Sequence, residues 1–242
     1  METGTLSTRK KYLTSIKMMD IVDFHAHILP GADHGSRFVE TTEKQIRFAE
    51  DAGVSRIIAT PHFYPSVHSL DKFLERREIA YKDFLSVGSN VEVRLGAEVL
   101  ICHEIENLPE LEKLFINGTN CLLLELPFSD FQPEYCNSVY NLINNGINVV
   151  IAHADRYFPE SIEKLIELGA KLQLNADSLS VFFKRRHLYD WLDRGLVVAI
   201  GSDIHGLDKN AYKNFSKAKN KILPYLDVIK AASDKIFGGY VS

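Results

Sequence analysis

The chain has 242 residues, 45% of them hydrophobic and 25% charged, with a formal net charge of -4. The length suits one large α/β domain and the balance excludes a mainly disordered chain. The weak negative charge offers no broad positive field for a nucleic-acid backbone, so no nucleic-acid partner is expected. Residues 1–19 carry basic side chains but no apolar signal core, and no later stretch is long enough to cross a bilayer. Residues 1–19 are therefore expected to be an extension and residues 20–242 one domain, in the cytoplasm and without membrane insertion. Subunit number is left open.

Seven short apolar, β-branched runs follow in chain order, and each ends in a polar tip. Residues 20–26 lead into DFHAH, 56–60 into TPH, 91–97 into GAE, 120–124 into ELP and 148–152 into IAH; 171–175 read KLQLN, and 196–201 lead into GSDIH. Between them lie amphipathic stretches such as SIEKLIELG, where Ile162, Leu165, Ile166 and Leu168 recur at helical spacing. Gly53, Gly146, Gly169 and Gly195 each close such a stretch shortly before the next strand, as a left-handed C-cap requires. Alternating helices and doubly buried strands imply a parallel sheet. A chemical tip on every strand favours a closed barrel with its site at the C-terminal strand ends over an open sheet with one switch point. The expected fold is a distorted seven-stranded (β/α)7 TIM-like barrel.

In His25-Ala26-His27 the two-residue period of a strand turns both imidazoles to one side, where they can reach one ion. Alone this spacing is weak in a chain with nine histidines. His34, His62, Glu98, Glu125, His153, Asp203 and His205 all stand at or just beyond strand ends, and together they point to a metal centre. Nine ligands suit three divalent ions with a glutamate bridging two of them. Imidazoles and carboxylates without a thiolate indicate manganese, iron or zinc, of which manganese is expected. Cys102, Cys121 and Cys136 have no CxxC spacing, and the arginine that a cysteine phosphatase needs six residues on is replaced by Leu108, Pro127 and Leu142. His68 and His103 are explained by loop and helix polarity, and His187 by the solvated face of FFKRRHLYDW. No GxGxxG or Walker A sequence implies a nucleotide cofactor.

DFHAH and SDIH resemble the DxHxH and SDxH motifs of the PHP (polymerase and histidinol phosphatase) superfamily. HILPGADHGS, ATPHFYPSVHS, GAEVL, LLLELPF, IAHADRY, LQLNADSL and IGSDIHG more closely resemble the capsule and exopolysaccharide type of manganese-dependent protein-tyrosine phosphatase. The resemblance implies the PHP fold and one ion on His25, His27, Glu98 and Asp203. A second ion falls on His34, His62 and His205, and a third on Glu98, Glu125 and His153. It also implies Arg156 as a phosphate-binding arginine, acting with Asp203 and His205 in catalysis.

The implied activity is hydrolysis of phosphotyrosine on proteins by a metal-activated hydroxide, in the regulation of capsular or exopolysaccharide synthesis. A membrane tyrosine kinase of polysaccharide export would be the partner. Two departures stand out: Asp33-His34-Gly35 replaces a DDG sequence, and the second phosphate-binding arginine of the family falls on Asn210, preceded by Lys209. The rival readings are another PHP phosphoesterase, such as a histidinol-phosphate phosphatase, and a non-catalytic regulatory module. The signature of the latter, missing ligands, is absent.

Overall fold

The structure, a computed structural model, describes residues 21–128, 131–181 and 185–237; the expected extension, residues 1–19, lies outside them. Among the described residues, the strands are β1 (Ile21–Ala26), β2 (Val54–Ala59), β3 (His62–Phe63), β4 (Glu92–Leu95), β5 (Glu98–Leu100), β6 (Cys121–Glu125), β7 (Asn148–Ile151), β8 (Lys171–Asn175) and β9 (Val197–Gly201). Helices α1 (Val39–Asp51), α2 (Leu70–Leu85), α3 (Glu134–Asn144), α4 (Pro159–Glu167), α5 (Ala176–Ser180), α6 (Arg186–Asp193), α7 (Lys209–Ile222) and α8 (Leu226–Phe237) connect or follow them. All strand pairs are parallel, in a three-stranded sheet ordered β1-β2-β4 and a six-stranded sheet ordered β3-β5-β6-β7-β8-β9.

This differs from the expected single closed sheet of seven strands: among the described residues nine strands form two sheets, and neither closes on itself. The difference has a local cause. Two of the seven runs break partway, at Thr60-Pro61 between β2 and β3 and at Gly96-Ala97 between β4 and β5. Pro61 has no N–H to give to a ladder. Single hydrogen bonds span the step instead, from Gly96 N to Ala59 O (2.9 Å) and from Glu98 N to Pro61 O (3.1 Å). On the far side β1 meets the residues just past β9: Asp203 N donates to His25 O (2.8 Å) and His27 N to Ile204 O (3.3 Å).

Strand alternation sorts the apolar side chains into two clusters. Leu122 and Leu124 of β6 join the larger one, with Ile57, Val149, Ile151 and the helices. Cys121 and Leu123 join the smaller one, with Ile58, Val150 and Val198. Glu125 continues the Cys121–Leu123 face, so a carboxylate takes the next position on a face that is otherwise apolar. The expected helix stops are present: Gly53, Gly146, Gly169 and Gly195 all have positive φ. Ile147 N, Ala170 N and Leu196 N reach back to Leu142 O, Leu165 O and Trp191 O, closing Schellman caps that aim the chain into β7, β8 and β9.

Candidate metal centre

The nine metal-ligand candidates, carried by β1, β3, β5 and β6 and by the residues just past β1, β7 and β9, meet at one place. Glu98, fully buried at the start of β5, is the hub. Its Oε1 lies 2.7 Å from His153 Nε2, and its Oε2 lies 2.9 Å from His62 Nδ1, 3.2 Å from His27 Nε2 and 3.3 Å from His25 Nε2. Glu125 approaches His62 (3.6 Å) and His153 (3.7 Å). Asp203 approaches His27 (3.4 Å), His205 (3.5 Å) and His25 (3.6 Å). His34, exposed in the loop after β1, lays its ring parallel to His62 within 5° at 4.8 Å and 4.7 Å from the His205 ring.

Close approach here depends on missing side chains and on strained backbone. A Cβ at Gly201 would lie 2.5 Å from His25 Cβ, and one at Gly35 only 2.1 Å from His27 Cβ. His153 (φ 32°) and Asp203 (φ 51°) adopt the left-handed region, which costs a non-glycine residue roughly 1–2 kcal/mol. Strain held at two of the nine positions marks a site whose side-chain directions matter more than local comfort.

The donor set fits divalent cations. His25 Nε2 faces His27 Nε2 at 3.0 Å, and His62 Nε2 faces His205 Nε2 at 3.4 Å. Glu98 Oε2 and His62 Nδ1 are close yet off hydrogen-bond geometry, and with Glu125 Oε2 they are buried without a hydrogen-bond partner. Atoms that converge on a common point without bonding one another are arranged as ligands. His27, His62 and His205 form one group able to hold an ion, His25, His27 and Asp203 a second, and His62, Glu98 and Glu125 a third.

The field is strongly cation-seeking. Burial opposes charge on His25, but Glu98 and Asp203 beside it raise its pKa; burial likewise opposes charge on His27, and Asp33 and Asp203 overcome it. His62, despite burial, is raised to about 9 by Glu125 and Glu98. His205 moves the other way, to about 4, through burial and the neighbouring His27. Glu98 is held well below the usual carboxylate range despite burial, by His25 and His153.

Sequence reasoning did not assign the residues that aim these ligands. His27 Nδ1 donates to Asp33 Oδ2 (2.7 Å), which also accepts from His62 N (3.0 Å), while Asp33 Oδ1 accepts from Gly35 N (2.8 Å). In the sequence Asp33 stands out only beside His34, although Asp-x-Gly is itself a turn signal. His25 Nδ1 donates to Gln173 Oε1 (3.0 Å), which also accepts from His153 N (2.6 Å). Asn175 Nδ2 donates to Asp203 Oδ2 (3.1 Å). KLQLN carried the signal for both, as the one polar tip left without a role. Asp33→Ala is expected to weaken divalent-ion affinity roughly 10–100-fold, as loss of a histidine's outer partner does, in competition with a chromogenic chelator. A change under about twofold would show that His27 is oriented without it.

Arg156 stands at the rim, its side chain 37% exposed, with Nη2 2.5 Å from Asp203 Oδ2. Lys209 and Asn210 are exposed on the first turn of α7, where Asp208 caps Asn210 N at 2.9 Å. His103 pairs with Glu104 at 4.0 Å, and His187 sits edge-on to Trp191 on α6; both are away from the centre's hydrogen bonds. His68 faces Tyr64, ring to ring at 6.4 Å.

Among known proteins, the tyrosine-protein phosphatase YwqE of Bacillus subtilis (strain 168) is 30% identical over 199 residues, covering 77% of this chain and 78% of that protein. The tyrosine-protein phosphatase CpsB of Streptococcus pneumoniae is 28% identical over 211 residues, covering 78% and 84%. A solved structure from work on these two proteins, described as unique metal-dependent tyrosine phosphatases, matches with a TM-score of 0.67 at 25% identity, over 91% of this chain and 89% of that one. A β-aspartyl dipeptidase from Fervidobacterium islandicum AW-1 shares the fold at a TM-score of 0.52 and 16% identity, over 87% and 67% of the two chains. The model of the family "Capsular polysaccharide synthesis, CpsB/CapC" matches residues 21–224, a span that holds all nine candidate ligands and Arg156, and the chain belongs to that family.

Proposed function

We propose that this chain is a metal-dependent protein-tyrosine phosphatase acting in the control of capsular or exopolysaccharide synthesis. The observation that carries the reading is Glu98, wholly buried and in contact with four imidazoles, with Arg156 at the rim of the same cluster. Three divalent ions, manganese first, would be held by His25, His27, Glu98 and Asp203; by His34, His62 and His205; and by Glu98, Glu125 and His153. The two sheets are read as one distorted (β/α)7 barrel across residues 20–242, supported by the hydrogen bonds at each seam. Both the substrate protein, such as a membrane tyrosine kinase, and this chain are placed in the cytoplasm. No helix among the described residues is long and apolar enough to cross a membrane.

Bound divalent ions supply Lewis acidity and a nucleophilic oxygen near neutral pH. The chain supplies the rest. Arg156 presents a planar fork of N–H donors, which suits the equatorial oxygens of a phosphoryl group, and Asp203 holds that fork at the rim until substrate arrives. Asp203, Asn175 and Arg156 form one connected set, so a phosphate that draws Arg156 away leaves Asp203 with the Asn175 amide. The cysteines take no part: burial raises the Cys121 thiol pKa above its usual range, and Cys102 and Cys136 are raised too. A phenolate leaving group, with a conjugate-acid pKa of about 10, departs with less help from a proton than an alkoxide needs.

The test is turnover of a phosphotyrosyl peptide and of histidinol phosphate by chelated and manganese-restored protein, with Arg156→Ala beside the wild type. Manganese-dependent turnover that prefers the peptide is expected, with kcat/KM lowered roughly 100-fold in Arg156→Ala. Activity that survives chelation refutes the mechanism; a preference for histidinol phosphate refutes the substrate alone.

A further inference from the structure

Two aromatic rings border the centre without a part in holding it. Tyr64 follows β3, and its ring lies 5.2 Å from the His62 ring at an interplanar angle of 19°. Phe128 lies three residues past Glu125, and its ring is 6.2 Å from that of His153 and within 11° of parallel. The two imidazoles they cover stand against opposite oxygens of the same two carboxylates. His62 approaches Oε2 of Glu98 and Oε2 of Glu125, and His153 approaches Oε1 of each. Glu98 and Glu125 thus stand between the two imidazoles, with Tyr64 stacked on His62 and Phe128 on His153.

Phe128 is 72% exposed, so burial in the fold does not account for its position. Its placement comes from below: Tyr157, 6.1 Å ring to ring, is pinned by its hydroxyl, which donates to Leu126 O (2.8 Å), accepts from Leu126 N (3.1 Å) and lies 3.1 Å from His153 Nδ1. The result is a presented, positioned phenyl face beside the place where a phosphoryl group has to sit.

We infer that Tyr64 and Phe128 are the two walls of an aryl slot at the Glu98–Glu125 edge of the centre, and that they select aryl over alkyl phosphate esters. The inference rests on the phosphatase reading for its substrate, but it concerns binding by these two rings. The ester oxygen puts the aryl ring two bonds from the phosphorus, so a phosphoryl group at the centre presents the ring at this edge, where it meets the walls. Offset stacking at 4.5–7 Å then favours it. An alkyl ester leaves the walls without a partner.

The test is a pair of non-hydrolysable probes, phenylphosphonate and methylphosphonate, titrated by calorimetry into manganese-loaded protein, with phosphotyrosyl-peptide turnover measured in parallel. Wild type should prefer phenylphosphonate, and the phenyl-to-methyl affinity ratio should fall about fivefold to tenfold in Phe128→Ala and in Tyr64→Ala. Tyr64→Phe and Phe128→Tyr, which keep a ring, should restore it. A merely structural role would shift both probes together and leave the ratio where it was. A ratio unaltered in both alanine variants overturns the slot even if the peptide is turned over. A ratio that falls as expected in a protein without phosphatase activity keeps the slot and overturns the proposed function instead.

Discussion

Glu98→Gln is expected to lower kcat on a phosphotyrosyl peptide by roughly a thousandfold or more and to lower the bound divalent metal at the same time. The substitution keeps size and shape but replaces one carboxylate oxygen by an amide that offers protons to nitrogens needing none. Four imidazole nitrogens lie within 3.3 Å of the two carboxylate oxygens, so no orientation of the amide leaves all of them facing an acceptor. The charge matters as much as the geometry. Glu98 and Asp203 are what raise His25 against burial, and Glu125 and Glu98 do the same for His62. Removing the hub's charge therefore weakens the hold on cations from both sides of the cluster, and several kcal/mol of transition-state stabilisation from the ions goes with them. Steady-state kinetics and elemental analysis of the same preparation check this. A variant with full metal content and more than a tenth of the wild-type kcat would remove Glu98 from the centre's hub.

The site was more legible in the sequence than the sheet that carries it. Strand periodicity is local, so a histidine two residues past another, or a glutamate at the end of CLLLE, can be placed without knowing what packs around it. The glycine stops were legible for the same reason, since a left-handed C-cap is a property of one residue. The breaks at Thr60-Pro61 and Gly96-Ala97 were not, because a run of apolar residues reads the same whether its ladder continues or changes sheet. Pro61 and Gly96 are the local signs, but in the sequence both belong equally well to the polar tips TPH and GAE.

Gln173 illustrates the other limit. It reaches His25 from 148 residues away, and a neutral amide looks alike on a solvated tip and behind a ligand. Asp23 behaves similarly: its Oδ1 accepts from Ser202 N at 2.8 Å and His25 N at 3.2 Å, tying the start of the first motif to the last. Spacing within DFHAH shows where Asp23 is, but only the approach of β9 shows what it does.

Stripping the divalent ions is expected to abolish turnover and also to lower the melting temperature by roughly 8–16 °C. The second effect follows from the way the centre is built. Without ions, His25 Nε2 and His27 Nε2 remain 3.0 Å apart, and Glu98 Oε2, Glu125 Oε2 and His62 Nδ1 remain buried without hydrogen-bond partners. Part of that cost is relieved by protons, which the raised pKa values of His25, His27 and His62 invite. A proton satisfies one nitrogen, however, whereas a cation satisfies several ligands at once. An ion present at a thousand times its dissociation constant stabilises the folded state by about 4 kcal/mol, and for a chain of this size each kcal/mol moves the midpoint by about 2–4 °C. Calorimetry before chelation, after it, and after addition of manganese, iron or zinc reads both the size of the shift and the order of the ions. The ion that restores the midpoint at the lowest concentration should also restore turnover, because the same nitrogens and oxygens govern both. A midpoint indifferent to chelation, in protein shown to be metal-free, would mean that the nine side chains satisfy one another, and the case for a metal centre would fail with it.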